Sequence, residues 1–227
     1  MNFETLRERL DAREAELNEV RKEPYGYLKV MRRLMKIRRI RERMDSRSAR
    51  MIEKNRLSRF KIELSRAYGQ LLSGTTRIMS IDVERTPEGQ FHEVGITLIR
   101  GREIESFNYR VRGVARGPRF LFGETMEADF ETIKNLIVLH AQSADVYLGH
   151  SIYNDLKHLE EEGIIIPRKF YYDTARWAKM LLGYTPSLFN LTQEYGTAAQ
   201  QFHCGGNDAR YTAEVFIKMV HTHHDGV

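Results

Sequence analysis

The sequence predicts an α/β fold, a mixed five-stranded sheet flanked by helices and preceded by a basic helical arm, and three observations predict it. The run Arg77–Asp82 is apolar, too brief for a helix and rich in β-branched residues, which reads as a short buried strand. Two further β-rich runs, His92–Arg100 and Glu103–Val111, are separated only by Gly101-Arg102 and extend that strand into an antiparallel meander. From Ala128 onward helical and strand patterns alternate, the signature of strand-helix units laid on both faces of a sheet.

Taken in order, residues 3–22 place Phe3, Leu6, Leu10, Leu17 and Val20 at helical spacing among Glu and Arg, an amphipathic helix that Pro24 and Gly26 end. Tyr27–Leu72 then runs without proline, its apolar positions recurring at threes and fours. It reads as one long helix, or as two with a joint near Asp45–Ser48. Ser73-Gly74-Thr75-Thr76 marks the joint between an arm, 1–72, and a body, 73–227. The glycines and proline of Arg112–Glu127 predict a loop without regular structure. Within it Arg116, Arg119, Phe120 and Phe122 are substrate contacts or plugs of the core. Helix Phe130–Ala141, strand Asp145–Leu148, helix Ile152–Glu162, strand Arg168–Tyr172, helix Thr174–Leu182, a short helix around Leu188–Tyr195 and a last helix Asp208–His221 complete the body.

Composition narrows the function classes. The 41% hydrophobic content suits a soluble globular core, no apolar run approaches membrane-spanning length, and no N-terminal block resembles a secretory signal. A single cysteine, Cys204, excludes an internal disulfide, and an intracellular, by default cytoplasmic, location is the expectation. The net charge of +5 is unevenly distributed: residues 1–72 hold 20 Lys+Arg against 11 Asp+Glu, whereas residues 73–227 hold 16 against 20. Arginine forks suit phosphate oxygens, so the arm, with Arg32, Arg33, Lys36, Arg38, Arg39, Arg41 and Arg43, is expected to hold nucleic acid, and its apolar positions allow self-association. The mildly acidic body has carboxylates to spare for cations.

The chemistry is carried by three acidic elements. Asp82 and Glu84 stand one residue apart at the end of an apolar strand and share a face, and crowded carboxylates of that kind are relieved by a divalent cation. Asp155 lies in the first turns of a helix that follows the strand end Gly149-His150, so it can reach over the carboxyl edge of the sheet. His203-Cys204-Gly205-Gly206-Asn207-Asp208 combines a histidine, two glycines for a tight turn and an aspartate at a helix start.

With these motifs in this order, residues 76–222 resemble the DEDDh exonucleases of the RNase H-like superfamily, a family that includes RNase T, oligoribonuclease and the proofreading exonucleases of DNA polymerases. The wording around Asp155-Leu156-Lys157, Tyr172-Asp173-Thr174 and the third motif is similar to a fungal branch of that superfamily. The resemblance implies an RNase H-like fold and metal-dependent 3′-to-5′ release of nucleoside 5′-monophosphates from single-stranded RNA, somewhat favoured, or DNA. It implies two divalent ions, Mg²⁺ or Mn²⁺, with Asp82 bridging both, Glu84 and Asp208 completing one, Asp155 serving the other, and His203 as general base. The chain departs from the family at Arg85, where a small hydroxyl residue is usual, and Arg85 and Tyr153 are expected to touch the nucleic acid. The competing reading is a catalytically inactive nucleic-acid-binding scaffold acting through the arm.

Overall fold

The computed structural model describes residues 27–224 apart from 115–116, with a few helical positions before them. The side chains of residues 27–34 and 47–48 lie outside this description. The helix expected over 3–22 therefore lies largely outside the described residues. The chain forms two compact units, Met1–Arg59 and Phe60–Val227.

The long run after Gly26 is one continuous helix, α1 (Tyr27–Ser73, 47 residues), and no joint interrupts it at Asp45–Ser48. Within the first unit Ile37 is buried, and Arg41 is ion-paired with Asp11 and Glu14. The end of α1 behaves differently. Phe60, Leu64, Ala67 and Leu71 recur at helical spacing and are buried in the core of the second unit, beside Trp177 and Phe216. Glu63 accepts a hydrogen bond from Trp177 Nε1 (3.1 Å) and pairs with Arg176 (2.5 Å). The compact body thus begins well ahead of the Ser73 turn.

The body is a six-stranded sheet rather than the expected five, in the order β4-β3-β2-β1-β5-β6. Its strands are β1 (Ile78–Arg85), β2 (Phe91–Arg100), β3 (Glu103–Val111), β4 (Thr125–Ala128), β5 (Val146–Gly149) and β6 (Tyr171–Asp173). The added strand, β4, falls in the segment read as a loop. It pairs parallel with β3 from Asn108↔Thr125 to Val111↔Ala128, a four-residue strand whose Met126 and Glu127 are exposed and which carries no alternation of its own. The helices are α2 (Phe130–Ser143), α3 (Tyr153–Glu161), α4 (Thr174–Leu182), α5 (Leu188–Glu194) and α6 (Gly205–His224). Only β2 runs against the others, because β1 and β2, and β2 and β3, pair antiparallel while the remaining pairs are parallel. The sheet is therefore mixed, as expected.

Strand alternation divides the core in two. Met79, Ile81 and Val83 of β1 pack with Ile133, Ile137 and Ala141 of α2 and Leu159 of α3 on one face. The opposite face, covered by α6, α4 and the end of α1, changes character along the strands. Its first row, Ile78–Ile99–Ile104, is apolar. The next rows are Ser80–Thr97–Ser106, Asp82–Gly95–Asn108 and Glu84–Glu93–Arg110. Core packing at one end thus turns into a charged face at the carboxyl end of β1, where ligands collect in open α/β sheets.

Candidate active site

The two residues of the first motif share the α6-side face of β1, as alternation requires, and three neighbouring elements bring the other candidates to them. Between them, the Val83 N–H donates to Asp155 Oδ1 (3.0 Å), which fixes the α3 carboxylate against β1. Asp155 is held in place by the turn before its helix. Ser151 adopts a left-handed conformation (φ 65°), and its N–H donates to Asp173 Oδ1 (2.9 Å), the same oxygen that caps α4 through Ala175 and Arg176.

Helix α6 delivers the third motif through a close backbone approach. A Cβ on Gly95 would lie 1.8 Å from the Gly205 carbonyl oxygen and 2.3 Å from the Gly206 nitrogen, so the helix start rests directly on β2 opposite Asp82. Its first N–H groups are capped from across the sheet. Gly205 N–H donates to Glu93 Oε1 (2.9 Å) and Gly206 N–H to Asn108 Oδ1 (2.8 Å). Glu93 is itself paired with buried Arg110 (Nε to Oε2, 2.6 Å). Asn207 accepts from Leu121 N–H (2.9 Å) and donates to the Arg119 and Gln201 carbonyls (2.8 Å each), pinning the loop ahead of β4. The helix therefore starts at Gly205, three residues before the expected Asp208, and the two glycines serve contact with the sheet rather than a turn.

These contacts bring donor atoms of Glu84, His203 and Asp208 within 4.8 Å of one another. His203 is exposed, sits in a left-handed conformation (φ 62°), and its backbone N–H donates to Asp208 Oδ2 (2.8 Å). The other carboxylate oxygen, Asp208 Oδ1, is buried without a hydrogen-bond partner. Burial, with Asp155, Asp208, Glu84 and Glu93 close by, holds the Asp82 carboxyl well above its ordinary value. Burial pushes Asp155 up to about 7 despite the Val83 hydrogen bond, and Asp208 up to about 7 despite that from His203. Burial also raises Glu84, where facing His203 opposes it. An all-carboxylate oxygen set beside one imidazole, with mutual repulsion and an unpartnered buried oxygen, fits a hard divalent cation.

Of the expected site residues, the structure groups Asp82, Glu84, Asp155, His203 and Asp208. Of the expected nucleic-acid contacts, Arg85 belongs to β1 and Tyr153 to α3. Arg85 is drawn into ion pairs with Glu161 (3.0 Å) and Glu162 (2.8 Å) at the end of α3. Tyr153 is exposed and lines a cavity of about 440 Å³ with Leu156, Lys157, Glu160 and residues 164–169, none of them a site acid. Lys36, Arg38, Arg39 and Arg43 are exposed on α1, Arg41 is ion-paired, and the Arg32 and Arg33 side chains lie outside the described residues. Arg116 is likewise outside them. Phe120 is a core plug against Gly206, and Phe122 stacks under Arg210 (4.9 Å).

Glu93, Gly95 and Asn108 were not singled out by sequence reasoning, and Asp173 entered only in the wording of a motif. The available signal was a glutamate and a glycine interrupting the apolar run FHEVGITLIR two residues apart, on the strand face that meets Asp82 and Glu84. His223 meets the Tyr195 hydroxyl (2.9 Å), and His224 stacks on Tyr68 (3.6 Å between centroids).

No curated protein matches the chain. Among solved structures it is similar to S. pombe Pop2p in its Mg²⁺- and Mn²⁺-bound form, at 14% identity and a TM-score of 0.45 over 74% of this chain and 92% of that one. It is also similar to a chain in the structure of the yeast NOT1 MIF4G domain co-crystallized with CAF1, at 13% identity and a TM-score of 0.35 over 72% of this chain and 84% of that one. Residues 117–219 match the family described as DNA polymerase III subunit epsilon-like, C-terminal domain, a stretch that contains Asp155, His203 and Asp208. That stretch is thus similar to a DEDDh family over less than half of the chain, and β1, which lies outside it, presents Asp82 and Glu84 to its three site residues.

Proposed function

We propose that the chain is a 3′-to-5′ exonuclease that releases nucleoside 5′-monophosphates from single-stranded RNA or DNA with two divalent ions, Mg²⁺ or Mn²⁺. The observation that carries the reading is the meeting of Glu84, His203 and Asp208 donor atoms within 4.8 Å at the charged end of the sheet, with Asp82 and Asp155 beside them. Asp82, Glu84, Asp155 and Asp208 would hold the ions. Bound there, the ions would supply positive charge that favours an ionised attacking water and the charge growing on the leaving oxygen.

The chain's own residues divide the remaining work. His203 is the one imidazole in the group and stands at its exposed side, which supports assigning to it the proton of the attacking water. Its hydrogen bond to Asp208 and its left-handed backbone hold it at the helix start. The Gly95–Gly205 contact and the Glu93 cap set the position of that helix, and so the spacing of Asp208 from Glu84. The test is degradation of strands labelled at either end, with Mg²⁺ or Mn²⁺. A ladder from 5′-labelled strands and labelled mononucleotide at the first turnover from 3′-labelled strands support the reading. Internal cuts, or no shortening by folded protein in either metal, overturn it.

A further inference from the structure

One side of α1 carries cations and no acids. At about 100° per residue, Lys36, Arg39, Arg43, Arg50 and Lys54 fall within an arc of about 60°, and position 47, also an arginine, falls in the same register. All five side chains are exposed. The acids Glu42, Asp45 and Glu53 lie outside that arc, and the face bearing Ile37, Arg41 and Met44, which is buried or half-buried, is a third sector.

A solvated helix face stabilises itself with opposite charges at i, i+4, and this ridge does the reverse. Arg39 and Arg43, and Arg50 and Lys54, are like-charge pairs at that spacing. None of the five has a carboxylate partner among the described residues, whereas off the ridge Arg41 meets Asp11 and Glu14, and Arg56 meets Glu53. Repulsion left uncompensated along a straight line is relieved by a linear polyanion. From Lys36 to Lys54 the ridge is about 27 Å long, with a cationic position every 3 or 4 residues, or about 5 Å, the same order as the phosphate repeat of a strand.

We propose that this ridge is a binding site for the sugar-phosphate backbone of a nucleic-acid strand, read by charge and spacing rather than by base. The inference extends the nuclease reading to its substrate, but it is measured without turnover. The full chain is titrated with a 30-nucleotide single strand in EDTA across a salt series. Arg39→Gln, Arg43→Gln and Arg50→Gln are combined in one variant. Arg38→Gln, Arg56→Gln and Arg59→Gln, exposed cations outside the arc, are combined in another with the same change in charge.

The ridge variant should lower the slope of log affinity against log salt by about 2, at about 0.7 for each phosphate that is no longer neutralised, and weaken binding about tenfold or more at 0.1 M salt. The control variant should leave both within error, and circular dichroism should show equal helicity, since Arg and Gln are similar helix formers. Equal losses in the two variants would mean diffuse charge and overturn the site, as would no loss in either. Ridge-dependent binding to phosphatidylserine vesicles with strand binding unchanged would overturn it too. Strand binding through the ridge with no nucleotide released in Mg²⁺ or Mn²⁺ would uphold this inference while sinking the exonuclease reading.

Discussion

Gly95→Ala is the smallest change that should disable the site without touching a candidate ligand. The added methyl carbon would sit 1.8 Å from the Gly205 carbonyl oxygen, 1.9 Å from its carbon and 2.3 Å from the Gly206 nitrogen. All three are backbone atoms in the first turn of α6, so no side chain can rotate away. Restoring ordinary contact requires the helix start and β2 to part by more than 1 Å, roughly the difference between those distances and normal van der Waals separation. Overpacking of a tight core costs about 1–3 kcal/mol, and a backbone clash belongs at the upper end. The Glu93–Gly205 and Asn108–Gly206 hydrogen bonds would lengthen with the shift. Asp208 and His203 ride on the same turn, and a 1 Å misplacement of reacting groups costs about 10²-fold in rate. Urea denaturation and strand-shortening rates measure the two effects. Gly69→Ala is the control, because nothing lies within 4 Å of a Cβ there and the residue is inside α1. It should stabilise by up to about 1 kcal/mol. A Gly95→Ala protein with unchanged stability and turnover would refute the close-approach argument.

Other outcomes follow from the same geometry. Asp155 and Asp208 bind protons more tightly folded than unfolded, since burial raises them from 3.8 to about 7. The metal-free protein should therefore lose stability as pH rises from about 4 to 7, and Mn²⁺ at pH 8 should raise Tm by about 5 °C or more, at about 2–4 °C per kcal/mol for a domain of this size. Glu93→Ala strands buried Arg110 and should cost about 3–5 kcal/mol by urea denaturation. Leu64→Ala should cost about 2–5 kcal/mol although Leu64 lies in the helix of the arm, and deletion of residues 1–59 should leave the body's unfolding transition in place where deletion of 1–72 abolishes it. His203→Asn tolerates the left-handed backbone, so it should keep Tm while lowering turnover by about 10²–10⁴-fold.

What was legible in the sequence was whatever local periodicity decides. Asp82 and Glu84 share a face because two residues of strand separate them, and Asp155 comes to the sheet edge because a helix follows a strand end directly. The start of α6 was not legible in that way. Gly205-Gly206 has the composition of a turn, and only the long-range contact with Gly95, more than a hundred residues earlier, makes it the first turn of a helix. Strand β4 was hidden for a related reason, since Thr125–Ala128 owes its extended conformation to pairing with β3 rather than to its own pattern. Helix α1 does end at Ser73, yet the compact unit starts at Phe60, because burial of Phe60, Leu64 and Ala67, not turn chemistry, decides which residues belong to a core. Arg85 shows the limit for single charges. It stands out in the sequence as a departure from the family beside two site acids, and its ion pairs with Glu161 and Glu162, more than seventy residues later, are visible only in the structure.

The central claim, that the acids on β1, α3 and α6 form a metal-dependent nuclease centre, is tested most directly by the rate of strand shortening as Mn²⁺ is raised, for the unaltered chain and for Asp82→Asn at equal folded concentration. The account predicts a saturable rise for the unaltered chain, none in EDTA, and a loss of about 10³-fold or more in the variant at every Mn²⁺ concentration. Shortening by Asp82→Asn at the unaltered rate would contradict it.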